Sequence, residues 1–453
     1  MTSTSEGSPR RSRKGTVVAA VVSVAVLAAV FFFLFPKFAD YGDAAYVTPH
    51  WDETGAQRDG TITATTSFAR DEEAILSGPH FYVGNPFYKT PRAVCANPRA
   101  YDPLDLLSLP TSYRPRTNFR RACSELTYAS RTPKVPWVID GASEARKVSD
   151  YFRLIFRRKL SQSGERTLTP ALVPPRFSHI DSCISVVFRE LTELVAFAGA
   201  VMSLPYDFYI KSTGKADLRS EILNSLPRVS FEKAFDLLSL RVLALNCLTE
   251  EFSDLWRQGW RDAYQSDSWC SESPMLDRDY FSALSGEWDA NVPLRTDFSR
   301  RQALIEIDVL VAMALGMSLE ELLMIYRVQF PVLQQNERGT WYDASGKAIF
   351  TCNIGISGRT LPRKALKGEL PVRIEFPGGD TKHCKAGWTE VNSVLEERSA
   401  PAGTRIYRSI VDDTQPTGKA SRSIEYTTPF SLSDREVDYR VTWARLKERL
   451  GTH

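Results

Sequence analysis

Residues 16–35, "TVVAAVVSVAVLAAVFFFLF", carry no charge over 20 positions. A run of about 20 apolar residues is long enough to cross a bilayer as one helix, and few other sequence features restrict a chain so strongly. Arg10, Arg11, Arg13 and Lys14 precede the run, whereas Lys37 is the only nearby positive charge after it. Positive flanks stay on the cytoplasmic side, so the rule places the N-terminus in the cytoplasm and the remainder outside. The run exceeds the roughly 7–15 apolar residues of a cleaved signal peptide. The expectation is a single-pass protein of the cell membrane, with a basic cytoplasmic tail at 1–15 and a transmembrane helix at 16–36.

The remaining chain can fill a sizeable core, since 43% of all residues are apolar. Residues 37–78 are polar and read as a linker with one short strand in "DGTITATTS". A net charge of +3 does not by itself announce a nucleic-acid partner. The seven cysteines show no CxxC pair and read as reduced thiols, which fits a cytosolic domain better than an exported one. The five scattered histidines have no metal spacing and no nucleophile–base pairing. No catalytic, cofactor-binding or metal-binding residue follows from these patterns.

Residues 80–91, "HFYVGNPFYKTP", approach the Asn-Pro-Pro-Tyr signature of adenine amino-methylases. Such chemistry flips the base from the duplex and holds its amine on the Asn amide. Here Phe87 replaces the second proline, restoring an N–H and freeing φ. No strand-Gly-x-Gly-helix turn for a methyl donor precedes it in residues 1–79. The segment reads as an ordinary turn.

Further along, Tyr151, Phe152, Leu154, Ile155 and Phe156 alternate with Arg153, Arg157, Arg158 and Lys159. That pattern predicts one apolar and one strongly basic face. "ERTLTPALVP" reads as a strand ended by Pro174-Pro175, and an amphipathic helix is expected up to Ser203, stopped by Pro205. Trp256 and Trp260, four apart, suit a helix face in the core. In "RRQALIEIDVLVAMALGMSLEELLMIYRVQFPVL", Gly316 ends one helix and Ser318 with Glu321 caps the next. The second helix presents Leu319, Leu322, Leu323, Ile325 and Tyr326 with Arg327 as its basic group, which suits burial rather than a major groove. Alternating strands follow residue 340, and a basic helix spans 439–450.

Four stretches together resemble the C-terminal, target-recognising part of large adenine-specific restriction-modification methylases, especially the actinobacterial phage-defence type. They are "FRLIFRRKLSQSGERTLTPALVPP" (152–175), "VMSLPYDFYIKSTGKADLRSEILNSLP" (201–227), "LIEIDVLVAMALGMSLEELLMIYRVQFPVL" (304–333) and "SDREVDYRVTWARL" (433–446). The similarity extends over roughly residues 79–447. It implies an α+β chain: a helical and mixed target-recognition-like domain at 79–335, then a strand-rich C-terminal subdomain with a terminal helix at 336–453. It also implies double-stranded DNA as partner, and a separate methyltransferase or restriction subunit that alone would bring S-adenosylmethionine. Phosphate contacts would come from Arg153, Arg157, Arg158, Lys159 and Arg166. Groove contacts would come from the loop Lys211-Ser212-Thr213-Gly214-Lys215. The resemblance implies a cytoplasmic location, which the positive-inside rule opposes. The competing expectation is a membrane protein whose extracytoplasmic domain binds an unrelated ligand.

Overall fold

The computed structural model describes residues 34–69, 74–97, 100–352, 358–415 and 418–451. Ten strands precede residue 190: β1 (Ala45–Thr48), β2 (Ile62–Ala69), β3 (Ala74–Leu76), β4 (Lys89–Pro91), β5 (Tyr101–Pro103), β6 (Thr117–Arg121), β7 (Arg153–Arg157), β8 (Pro170–Val173), β9 (Phe177–His179) and β10 (Cys183–Phe188). The central sheet is antiparallel in the order β1-β10-β7-β8, with Val186 between Val47 and Leu154, and Leu154 against Leu172. Every residue of β8 and β10 is buried, as are the first four of β7. A strand covered on both faces shows an unbroken apolar run rather than alternation, and "CISVVF" has that form.

Helices then close over the sheet. The helix Leu191–Met202 packs on β8 and β10 and against the helices Phe235–Asn246 and Asp297–Ala314. Leu154, Leu172, Val186, Val201, Leu243 and Leu310 share one large core. A smaller second core lies between the antiparallel sheet formed by β13 (Pro371–Glu375), β14 (Thr381–Lys385), β15 (Arg405–Asp412) and β16 (Ala420–Thr427) and the helix Trp388–Glu397. That sheet runs β14-β13-β15-β16, and a two-stranded ribbon of β11 (Trp341–Tyr342) and β12 (Ala348–Phe350) joins it to the main body. The terminal helix Arg435–Leu450 returns to the first core through Tyr439 and Leu446.

Several expectations change. The chain is mixed α/β, with helices and several small sheets. The expectation of a preceding transmembrane helix, and with it a single-pass location in the cell membrane, is corrected. Among the described residues no helix is long and apolar enough to cross a membrane. The 18-residue helix Asp297–Ala314 is interrupted by Arg300, Arg301, Glu306 and Asp308. The run 16–33 on which the expectation rested lies outside the described residues. Residues 37–78 were expected as a linker, yet β1 adds an edge strand to the central sheet and β3 pairs in parallel with β9. The terminal helix, expected with the C-terminal subdomain, packs on the first core instead. Pro205 starts a helix rather than only stopping one: it sits in the first turn of Leu204–Ser212, where a missing N–H costs nothing, and Ser203 accepts from Tyr206 N.

Candidate functional site

The segment from Gly78 to Lys89 forms one wall of a cleft of about 1320 Å³. Tyr82 and Asn85 exchange backbone hydrogen bonds of 2.9 and 3.0 Å, and Gly84 takes the left-handed φ of +60° that this tight reversal requires. Asn85 Oδ1 accepts from Phe87 N at 3.0 Å, so the amide closes its own turn. Phe87 is buried against Tyr113 and Phe252. The methylase-like motif is therefore a turn, with its amide occupied and its phenylalanine in the core.

What the turn does present is a pair of tyrosines. Tyr82 and Tyr88 stack with ring centroids 5.0 Å apart and planes 30° apart, and both line the cleft. Arg157, at the end of β7, lies against them, its guanidinium carbon 5.3 Å from the Tyr82 centroid and 5.9 Å from that of Tyr88. Its Nε donates to Gly78 O at 2.7 Å and its Nη2 to Phe81 O. Both partners are neutral carbonyls, and among the described residues no carboxylate pairs with Arg157. Burial accordingly presses its pKa down. Lys89 sits 5.0 Å from the Tyr88 ring, and burial and the neighbouring Arg157 charge lower its pKa as well. Two cations thus share one aromatic wall.

Also in the lining, Glu165 accepts from Asn336 Nδ2 at 2.5 Å, and burial raises its pKa. Asn97, Asn118, Gln335 and Cys352 are among the further polar lining residues. The cleft therefore offers positive charge, aromatic surface and amide or carboxyl edges together.

The ten residues expected to touch DNA divide sharply. Lys159 lines the cleft with Arg157 and leaves 78% of its side chain exposed while reaching Asp217 at 2.8 Å. Leu160 N donates to Ala216 O at 2.9 Å, Leu218 N to Arg158 O at 2.7 Å, and Gln162 Nε2 to Lys215 O at 2.8 Å. The two basic segments, some fifty positions apart, are thus sewn together beside the cleft. Lys215 and Ser212 are exposed, while Lys211 lies over the Phe330 ring at 5.0 Å. Thr213 Oγ1 donates to Ile210 O, and Gly214, at φ +63°, ends the helix Leu204–Ser212 in the left-handed conformation. Arg158 is half-buried and pairs with Asp181 at 2.9 Å.

Arg153 and Arg166 are corrections, because both are inside the protein. Arg153 donates to Phe177 O and meets His50 Nδ1 at 3.2 Å. Arg166 is locked to Asp207, which also accepts from Thr167 N at 2.9 Å and Leu168 N at 3.0 Å. A guanidinium committed to buried partners cannot reach a phosphate.

That lock is part of a larger arrangement in which the four resembling stretches meet. Asp308 accepts from Leu204 N at 2.6 Å, Tyr439 Oη at 2.6 Å and Arg435 Nη1 at 3.2 Å. Arg435 continues to Glu337 at 3.0 Å, and Glu337 to Arg301 at 2.6 Å. Stretches at 152–175, 201–227, 304–333 and 433–446 thus share a buried polar network, adjoining the cleft where Asn336 holds Glu165. Their conspicuous charges are mostly scaffold. Composition pointed to the basic residues and passed over Tyr82, Tyr88, Lys89, Glu165 and Asn336. The available signal was the aromatic spacing in "FYVGNPFYK", read only as a turn.

A methyl-donor site of the adenine-methylase kind needs a glycine turn between a strand and a helix. Here β10 enters the helix Leu191–Met202 through Arg189 and Glu190. The glycine turn at Gly84 leads instead to β4. These residues do not fit that group. No protein-family model matches the chain, and no curated protein matches it at a significant level.

Proposed function

We propose that the chain is a nucleic-acid-recognition module serving a restriction-modification or phage-defence adenine methylase system, with methyl transfer supplied by a separate subunit. The observation that carries this reading is the joining of residues 158–162 to 215–218 into one rim with Lys159 and Lys215 exposed beside a cationic, tyrosine-walled cleft. Exposed lysines supply the long-range, sequence-independent attraction to phosphates that holds a duplex on this rim.

The test is fluorescence anisotropy of the full chain with labelled duplex DNA across a salt series. With three or four phosphate contacts, log affinity should fall against log salt with a slope of about −3 to −4. Replacing Lys159 and Lys215 together by Ala should weaken all duplexes alike and flatten the slope by about two. A folded protein that ignores duplex at low salt, or a double variant with an unchanged slope, would sink the reading.

A further inference from the structure

The rim accounts for attraction to phosphates but leaves the interior of the cleft unused. Arg157 is the informative residue there. Its Nε and Nη2 are fixed by Gly78 O and Phe81 O, leaving Nη1 as the donor available to the cavity. A partly buried cation whose hydrogen-bond partners, among the described residues, are neutral carbonyls is complementary to an anion that arrives from outside. Lys89, 5.0 Å from the Tyr88 ring and also in the cleft lining, adds a second donor. Glu165 and Asn336 also line the cleft and can meet the polar edge of a flat heterocycle.

Size narrows the ligand. Pockets for single small molecules are typically about 300–1,000 Å³. At about 1320 Å³ this cleft has room for more than one aromatic unit. A space of that volume suits nucleotides taken out of the stack, as bases are when an enzyme flips them, rather than a run of paired strand.

We infer that the cleft binds a short run of unpaired nucleotides, with phosphate on Arg157 and Lys89, a base against the Tyr82–Tyr88 wall, and the base edge toward Glu165 and Asn336. The inference rests on the nucleic-acid reading above but assigns a separate surface to unpaired strand. Stacking on aromatic side chains is tolerant of base identity, whereas hydrogen bonds at the base edge are selective. The rim therefore holds the duplex, and the cleft accepts nucleotides displaced from it.

Anisotropy with the full chain separates the two surfaces. The probes are a short single-stranded oligonucleotide, a plain duplex and the same duplex carrying a bulge of unpaired adenines. Adenosine monophosphate serves as a competitor. The bulged duplex and the single strand should bind about tenfold or more tightly than the plain duplex, as expected when one or more bases gain an aromatic partner. Lys89→Ala and Tyr88→Leu should each erase that preference while leaving plain-duplex affinity and the melting temperature unchanged. Arg157→Gln should do the same if it folds; because its two carbonyl contacts are structural, the other variants carry the test. Equal binding of plain and bulged duplex by the native chain would overturn the inference, as would a preference that survives both variants. Displacement of the oligonucleotide by adenosine monophosphate as readily as by unlabelled oligonucleotide would also overturn it, assigning the cleft to a free nucleotide. Binding of the bulge without binding of the plain duplex would support the cleft while removing the rim.

Discussion

At the scale of single residues, arginine does three different jobs here, and its surroundings decide which. Arg440 pairs with Glu320 at 3.0 Å with both side chains largely exposed, so the bond is worth no more than about 1 kcal/mol. Arg300 is half-buried and donates to Leu245 O, Leu294 O and Gly84 O, and desolvation pushes its pKa down to about 9. It ties the tyrosine-bearing turn to the helical body. Arg166 is buried against a carboxylate. Asp207→Asn keeps the side chain's shape but leaves that cation uncompensated, and removing one partner of a buried pair costs on the order of 3–5 kcal/mol. Urea denaturation of Asp207→Asn should therefore show a loss of that order, while Glu320→Gln should stay within about 1 kcal/mol of the native chain.

Among elements, those specified by neighbouring residues were legible. The capping box is an example: Ser318 Oγ accepts from Glu321 N, and Ser318 N donates to Glu321 Oε2 at 2.7 Å. Ser318→Ala should lower stability by about 1 kcal/mol, read as a shift in the thermal midpoint. The Trp256 and Trp260 rings do pack, at 5.7 Å with Trp256 fully buried, but the helix ends at Gly259, so Trp260 lies just past it and is half-buried. The strand β7 was legible as an ordered apolar segment but not as an interior one. Its arginines imitate a solvent face because one-dimensional alternation cannot show that Phe177 O and His50 wait for Arg153. The cleft was less legible still. Tyr82 and Arg157 come from segments 75 positions apart, and only pairing within the folded chain brings them together. Lys159 and Lys215, singled out through the resemblance, are both exposed, since a surface lysine demands no partner in sequence.

For the whole molecule, the network around Glu337 links the terminal helix to the central one. Burial opposes the charge on Glu337, but Arg301 and Arg435 overcome it and hold the carboxyl down to about 2, against an ordinary 4.5. A depressed carboxylate stabilises the fold above its unfolded pKa, and that contribution fades as pH falls from about 4.5 through about 2. The difference corresponds to roughly 3 kcal/mol. Glu337→Gln should therefore be the less stable protein at neutral pH, and the gap in urea midpoint should shrink on acidification across that window. A gap that stays constant with pH would place the stabilisation elsewhere.

The same network has a consequence for how the protein is made. Ribosomes deliver residues in order, so Asp308 and Glu337 emerge about a hundred residues before Arg435 is available to meet them. Until then Asp308 lacks its Arg435 and Tyr439 partners, and Glu337 has Arg301 but not Arg435. A nascent or prematurely ended chain that stops short of residue 435 would thus remain recognisably unfinished to the cell's proteases. A late-made helix thus completes a network whose neighbour Asn336 holds Glu165 in the cleft.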